Sequence, residues 1–319
     1  MPTKIPWVIN PDGTPGEVLN VVSGCTPVSK GCANCYAKRL SRRLKGRYGY
    51  PADDPFRVTL HPEKLAIPLK KRKPTTFFVC SMGDLFHPDV PFEFIAAVIG
   101  IAARRPDHIF LLLTKRAQRM KGFFDWLDTK DASLAFINPM PQLRFGCAAL
   151  HHYLKFVYNS ELFPVAKTWP LPNLWLGVSA ENQKMADERI PILLQIPAAG
   201  RFVSVEPMLG PVDLRSEKLR WCDKDWDSHE CDYAIDHLDC VIVGGENGPG
   251  ARPMSPEWVR PVRDQCNAAN IPFFFKGWGQ YEYARWFGSG GWVRKNVGSK
   301  VSGHMLDGKE HRHVPWEMK

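Results

Sequence analysis

The chain has 319 residues, of which 44% are hydrophobic, and carries a formal net charge of +9 at pH 7. This length suits one large α/β barrel or two modest domains, and the apolar content supplies a real core. No apolar run is long enough to cross a bilayer, and segment 1–14 is polar and proline-rich, so we expect a cytoplasmic protein without membrane contact. The basic balance suggests an anionic partner such as a nucleotide or nucleic acid.

Short apolar runs alternate with amphipathic stretches along the chain. The predicted strands are residues 18–22, 76–81, 108–114, 174–179, 201–206, 238–245 and 272–276, and the predicted helices are residues 91–104, 116–127, 181–195 and 256–269. Near-continuous apolar strands that alternate with helices are typical of a parallel sheet covered on both faces. Seven strands favour an α/β fold with a full or partial (β/α) TIM-like barrel.

Three irregular blocks interrupt this alternation. They are residues 128–172, residues 213–237 and the tail from residue 277 onward. We expect a barrel domain over residues 1–276 that contains the first two blocks as insertions. The tail, residues 277–319, is predicted to form a C-terminal cap.

The first predicted strand leads into the segment GCTPVSKGCANCYAKR, which contains Cys25, Cys32 and Cys35. Three thiolates can hold three irons of a [4Fe–4S] cluster and leave the fourth iron open. A structural zinc site normally closes with a fourth Cys or His at short spacing, and none lies within ten residues of Cys35. This pattern favours an open cluster, while zinc with a distant fourth ligand and metal-free buried thiols remain alternatives.

Charged or hydrogen-bonding groups follow almost every predicted strand, in CSMGDLFH, LLTKR, GVSAEN, SVEP, VGGEN and FFKGWGQ. In parallel α/β folds the ligand site lies beyond the carboxyl ends of the strands. Single residues such as Asp84 and Ser179 would also serve as helix N-caps. The presence of Glu206, Glu246 and Lys276 directly at strand ends favours a functional site for the set as a whole.

The cysteine segment followed by Tyr-Ala-Lys-Arg resembles the cluster loop of the radical S-adenosylmethionine (radical SAM) superfamily. The wider chain resembles a phage-associated family of unknown function, through GCTPVSKGCANCYAKRL, FFVCSMGDLFHPDVP, LLLTKRAQRM, LPNLWLGVSAENQKMADERIPILLQ, RFVSVEPMLGPVDL, VIVGGENGPGARPM and PFFFKGWG. The usual superfamily loop has the spacing C-x3-C-x2-C with an aromatic residue before the last cysteine. Here the spacing is C-x6-C-x2-C, and the aromatic Tyr36 follows Cys35.

The resemblance implies a barrel of the radical SAM type, a [4Fe–4S] cluster on the three cysteines, S-adenosylmethionine (SAM) as cofactor and an electron donor as partner. Reductive cleavage of SAM would produce a radical that abstracts hydrogen from an anionic substrate, such as a nucleotide or a nucleic-acid base. The resemblance places the SAM amine at Gly83 and Asp84. It also implies cofactor contacts and catalytic groups on the later strands, at Lys115, Ser179, Asn182, Glu206, Gly244, Gly245, Glu246 and Lys276.

Basic residues form two groups. Lys38, Arg39, Arg42, Arg43, Lys45 and Arg47 crowd the predicted helix after the cysteines, and Lys70, Lys71, Arg72 and Lys73 precede the second strand. The second group lies at the amino end of a strand, so in a barrel it faces away from the active mouth. It is interpreted as a solvated loop or, alternatively, as a nucleic-acid or partner patch.

Two further functions and one further metal site stay open. The chain also fits a zinc-bearing nucleic-acid-binding protein, or a barrel hydrolase with Glu206 and Glu246 as its acid/base pair. A second metal site is conceivable at the group Cys222, His229, Cys231, His237 and Cys240, although its spacing matches no compact zinc pattern.

Overall fold

A computed structural model describes residues 2–129, 149, 152, 168–221, 232–285 and 292–316 of the chain. A seven-stranded sheet lies at its centre, made of β1 (Glu17–Leu19), β2 (Thr76–Val79), β3 (Ile109–Thr114), β4 (Leu174–Ser179), β5 (Gly200–Val205), β6 (Cys240–Gly244) and β7 (Phe273–Gly277). Each strand pairs in parallel with the next one along the chain. All seven predicted strands are found, although the first ends at Leu19 and Val22 belongs to a separate antiparallel ladder. The sheet curls into a half-barrel, which is a partial TIM-like barrel.

The helices are α1 (Tyr36–Leu44), α2 (Ala66–Lys70), α3 (Phe92–Arg104), α4 (Ala117–Thr129), α5 (Gln183–Leu194), α6 (Pro256–Ala268) and α7 (Ser299–Ser302). The four predicted helices correspond to α3, α4, α5 and α6. Local signals explain their starts: Asn182 accepts a hydrogen bond from the backbone N of Met185 at 3.1 Å, and Ser255 caps α6 ahead of Pro256. Apolar side chains from these helices and from one face of the sheet form the larger core.

The two ends of the chain cover the other, inner face of the sheet. Trp7 and Trp316 pack there against alternate strand residues such as Phe78 and Phe202, and the Trp316 indole N–H donates to the carbonyl oxygen of Trp7 at 3.2 Å. The tail also runs beside β7, where the N–H of Phe275 donates to the carbonyl oxygen of His311 at 2.8 Å. Aromatic rings thus fill the inside of the half-barrel, between its inner face and the two ends of the chain.

Within the described residues, four short antiparallel ladders accompany the main sheet: Val22–Ser23 with Thr59–Leu60, Arg220–Trp221 with Asp232–Tyr233, Tyr281–Arg285 with Trp292–Asn296, and Met305–Leu306 with Lys309–Glu310. Most of the predicted insertion at 128–172 lies outside the described residues, although α4 extends into it as far as Thr129. The domain boundary at residue 276 stays a prediction. Among the described residues, no helix combines the length and apolar character needed to span a membrane.

Candidate functional site

A cavity of about 470 Å³ opens at the carboxyl ends of the strands. Its volume lies in the range of small-molecule pockets. Trp7 and Phe78 from the inner face line it together with residues that follow the strands. Of the predicted site residues, those that line the cavity are Cys25, Cys32, Cys35, Gly83, Asp84, Lys115, Ser179, Glu206, Gly245, Glu246 and Lys276. The topology therefore brings most of the predicted site together.

The three cysteines lie on the loop of residues 24–35, called here the cysteine loop, which joins Val22–Ser23 to α1. Cys25, Cys32 and Cys35 are free and half-buried on the wall of the cavity. Soft thiolate ligands are the donor chemistry of iron–sulfur clusters. In the part of the chain that the structure describes, no three His, Cys, Asp or Glu side chains are gathered in an arrangement that could hold a metal ion. The loop thus offers suitable donor atoms, but in this conformation it does not gather them around one centre.

The start of the cysteine loop is held by Asp84 and Arg116. The buried Asp84 carboxylate accepts hydrogen bonds from Thr114 Oγ1 at 2.8 and 2.9 Å and pairs with Arg116 Nη1 at 3.1 Å. Arg116 in turn places Nη1 3.4 Å from Cys25 Sγ and donates from Nη2 to the Thr26 carbonyl at 2.8 Å. Burial and the Asp84 charge raise the pKa of Cys25 to about 11, and Arg116 opposes them. Asp84 therefore orients Arg116. A contact between the Asp84 carboxylate and the SAM amine, as expected from the sequence, would compete with the bonds of Asp84 to Thr114 and Arg116.

The middle of the loop is held by Glu181 and Arg189. The fully buried Glu181 pairs through Oε2 with Arg189 Nη1 at 3.0 Å, and Oε1 accepts from the Gly31 N–H at 3.3 Å. Burial alone would raise the pKa of Glu181, but the Ser29 hydrogen bond and the charges of Arg189 and Lys115 outweigh it and lower the pKa. The carboxylate is therefore ionised at neutral pH and tied to the loop.

The end of the loop is held by Glu246 and Arg252. Arg252 contacts the Glu246 carboxylate from Nη2 at 2.6 Å and from Nε at 2.9 Å, and Asn34 Nδ2 donates to Oε2 at 3.0 Å. Arg252 Nη1 also reaches the Lys30 carbonyl at 3.0 Å. These partners outweigh burial and lower the pKa of Glu246. Glu246 is thus an anchor held ionised, which argues against its use as the acid of a hydrolase pair with Glu206.

The Glu206–Lys276 pair differs from these three anchoring pairs (Asp84–Arg116, Glu181–Arg189 and Glu246–Arg252). Lys276 Nζ lies 2.8 Å from Glu206 Oε1, and the two side chains are 31% and 14% exposed. This contact is an ion pair whose geometry does not form a hydrogen bond to Glu206 Oε1. The other carboxylate oxygen, Glu206 Oε2, accepts a hydrogen bond from Ser204 Oγ at 3.4 Å. Both side chains line the cavity, and within the described residues neither bonds to the cysteine loop. This pair is consequently available to a ligand in the cavity.

The predicted glycines and Asn182 have mainly structural positions. A Cβ atom on Gly244 would lie 2.5 Å from Glu206 Oε1, and one on Gly245 would lie 2.1 Å from the Trp278 carbonyl oxygen. Gly83 bridges the backbone at Gly24. These glycines make room for protein groups, and close approach of a ligand at Gly244 and Gly245 stays a prediction. Asn182 caps α5, and neither it nor Gly244 is among the residues that line the cavity.

The second group of cysteines and histidines lies partly beyond the described residues, which exclude Cys222, His229 and Cys231. Cys240 is buried in β6 within the aromatic cluster of the inner face. His237 Nε2 lies 3.6 Å from Asp232 Oδ2. A second metal site at this group stays a prediction.

Sequence reasoning missed Asn34, Arg189 and Arg252 as site residues. Asn34 and Glu246 are 212 positions apart, so no local pattern links them. The spacing of Arg189 from Glu181 and of Arg252 from Glu246 is short enough to have suggested local ion pairs. Nothing in either segment indicated that these pairs support the cysteine loop.

The fold and site define a class: a parallel (β/α) half-barrel with a ligand-sized cavity at its strand ends and three cysteines on the cavity wall. A family model described as "Protein of unknown function (DUF5131)" matches residues 3–315, and the chain belongs to this family. No curated protein matches the sequence significantly. A solved structure of spore photoproduct lyase complexed with dinucleoside spore photoproduct is similar at a TM-score of 0.40 and 11% identity, over 88% of this chain and 68% of that chain.

Proposed function

We propose that this protein is a radical SAM enzyme, with a [4Fe–4S] cluster on Cys25, Cys32 and Cys35 and SAM in the adjacent cavity. The observation that carries the proposal is that three free, half-buried cysteines of one loop line a 470 Å³ cavity at the strand ends. When bound, these groups would supply reductive cleavage of SAM and hydrogen abstraction from a substrate.

The residues of the chain have separable tasks in this proposal. The three anchoring pairs hold the cysteine loop at the wall of the cavity, and cluster binding would bring the three thiolates closer together than they lie in this conformation. Arg116 beside Cys25 offsets part of the rise in pKa that burial and Asp84 impose on this thiol, because an adjacent cation stabilises a thiolate. Lys276 provides a positive charge for a carboxylate or phosphate. Glu206 positions the Lys276 ammonium group. Its carboxylate also offers a hydrogen-bond acceptor for a hydroxyl or amino group of a ligand.

The test of this proposal is anaerobic purification followed by iron, sulfide and zinc analysis and a SAM-cleavage assay under reducing conditions. We expect about four irons and four sulfides per chain, visible absorption that bleaches on reduction, and release of a cleaved adenosyl product. Stoichiometric zinc without iron would overturn the proposal and favour a zinc-bearing nucleic-acid-binding protein.

Replacement of Lys276 is expected to weaken SAM binding while leaving the cluster in place. Lys276→Met removes a cavity-lining charge but no described contact of the cysteine loop. A charge-assisted hydrogen bond contributes about 1.5–3 kcal/mol, so the dissociation constant for SAM should rise roughly 10- to 100-fold. Equilibrium binding of SAM and iron analysis measure the two properties separately.

Two controls sharpen this test. Lys276→Arg retains the charge and should recover part of the affinity, and Lys300→Met removes an exposed charge elsewhere and should bind SAM as the parent does. Unchanged SAM affinity in Lys276→Met would show that the Glu206–Lys276 pair does not contact the cofactor.

A further inference from the structure

Helix α1 and the turn after it present an exposed cationic surface beside the cavity. We call it the α1 basic surface; its members are Lys38, Arg42, Arg43, Lys45 and Arg47, all exposed. Within the described residues, no carboxylate lies at ion-pair distance from any of them, whereas the other basic run contains Lys71, which pairs with Glu17. Unpaired cations on one surface create a positive potential that attracts polyanions.

Exposed aromatic groups accompany these cations. The side chain of Tyr48 is 78% exposed, and that of Tyr36 is 49% exposed. Tyrosine rings provide flat surfaces on which nucleobases stack with little sequence preference. Cations that neutralise phosphates, interleaved with rings that accept bases, are the chemical combination found in single-stranded nucleic-acid sites. A small anionic metabolite would need neither the length of this surface nor its exposed rings.

The α1 basic surface is continuous with the mouth of the cavity. Tyr36 begins α1 and lines the cavity, and Arg39 Nη2 donates to the carbonyl of the cavity residue Asn247 at 3.1 Å. Tyr36 and Arg42 are six positions apart, which corresponds to about 9 Å along the helix axis. Phosphates bound on α1 would therefore leave a neighbouring base at the cavity mouth.

We propose that the α1 basic surface binds a single-stranded nucleic acid, so that the substrate is a nucleotide within a strand. A base must leave a duplex before it can enter an enclosed pocket, which favours single-stranded over double-stranded substrate. The reaction on that nucleotide rests on the proposed radical SAM function. The binding itself does not, because it depends on surface charges and rings outside the cysteine triad.

The test is fluorescence anisotropy of the full-length, anaerobically purified protein with labelled single-stranded DNA and RNA of about 20 nucleotides, at several salt concentrations. The double variant Arg42→Gln/Arg43→Gln should bind at least about tenfold more weakly at low salt. The plot of the logarithm of the association constant against the logarithm of the salt concentration should also become shallower by about 1.4, because each lost phosphate contact removes about 0.7 from the magnitude of its slope. Tyr48→Ala should weaken binding by at least about fivefold without changing this slope.

The matched control is Lys70→Gln/Arg72→Gln, which removes the same charge from exposed residues at the amino end of β2. It should bind as the parent does, and circular dichroism should show equal melting for all variants. Equal weakening in both double variants, or parental affinity in the α1 variant, would overturn the proposal. Binding of anionic lipid vesicles but of no oligonucleotide would overturn it as well.

The outcomes also separate this proposal from the radical SAM function. A zinc-containing or metal-free protein that still shows α1-dependent binding would contradict only the proposed chemistry. An iron–sulfur protein that cleaves SAM but binds oligonucleotides independently of α1 would contradict only the nucleic-acid proposal.

Discussion

Replacement of Cys32 or Cys35 by alanine is expected to abolish iron binding and SAM cleavage together. Both cysteines come from one loop that lines the cavity, and Cys35 directly precedes α1. A cluster that has only three protein ligands lacks any spare thiolate to replace a lost one. The iron content should fall from about four to less than one per chain, with SAM cleavage at background. Iron and sulfide analysis and product chromatography measure these two effects.

Cys266 offers a matched control for the cysteine variants. It is a free cysteine buried in α6 as part of the main core. Cys266→Ala removes one thiol remote from the cavity lining and should retain the parental iron content and SAM cleavage. If Cys32→Ala kept all of its iron while Cys266→Ala lost it, the assignment of the ligands to the cysteine loop would be wrong.

The arrangement of strands and helices was largely predictable because its signals are local. Apolar runs such as residues 174–179 end in polar residues, and Asn182 and Ser255 mark helix starts by capping. The sequence did not predict that Trp7 and Trp316 cover the inner face of the sheet. These two residues are 309 positions apart and lie in segments without strand or helix periodicity.

The candidate site was predictable in position but not in the roles of its acidic residues. Polar groups at the ends of parallel strands must meet at one edge of the sheet, and most of the predicted site residues line one cavity there. The sequence assigns Asp84 to the SAM amine and treats Glu246 and Glu206 alike as catalytic candidates. The structure separates them because Arg116 and Arg252 engage the first two carboxylates, leaving Glu206 with a cavity-facing lysine. Such pairing depends on tertiary contacts that a sequence pattern does not encode.

The anchoring pairs hold the cysteine loop in a defined conformation. Each pair connects one strand end to a different part of the loop, through Arg116, Glu181 and Glu246. Buried ion pairs add little net stability but are costly to break singly, because the remaining charge stays in a low-dielectric environment. Removal of one partner should therefore affect the stability of the protein before any chemistry is measured.

Arg189→Met is accordingly expected to lower the free energy of unfolding at neutral pH by about 3–5 kcal/mol. The side chains of Arg189 and Glu181 are only 3% and 0% exposed, so the variant leaves Glu181 charged and buried without its cation. Urea unfolding at pH 7 measures this loss as a lower midpoint with an unchanged slope. An unchanged midpoint would show that the pair does not support the folded state.

The pH dependence and a double variant identify the cause of that loss. Because the pKa of Glu181 is lowered in the folded parent, its ion pair contributes stability above the pKa of the unfolded chain and loses it as pH falls through the lowered folded value. The difference between parent and Arg189→Met should therefore narrow towards acidic pH. Glu181→Gln/Arg189→Met removes both charges but retains an acceptor for the Gly31 N–H. It should recover most of the stability at pH 7, since the cost comes from an unpaired buried charge and not from lost packing.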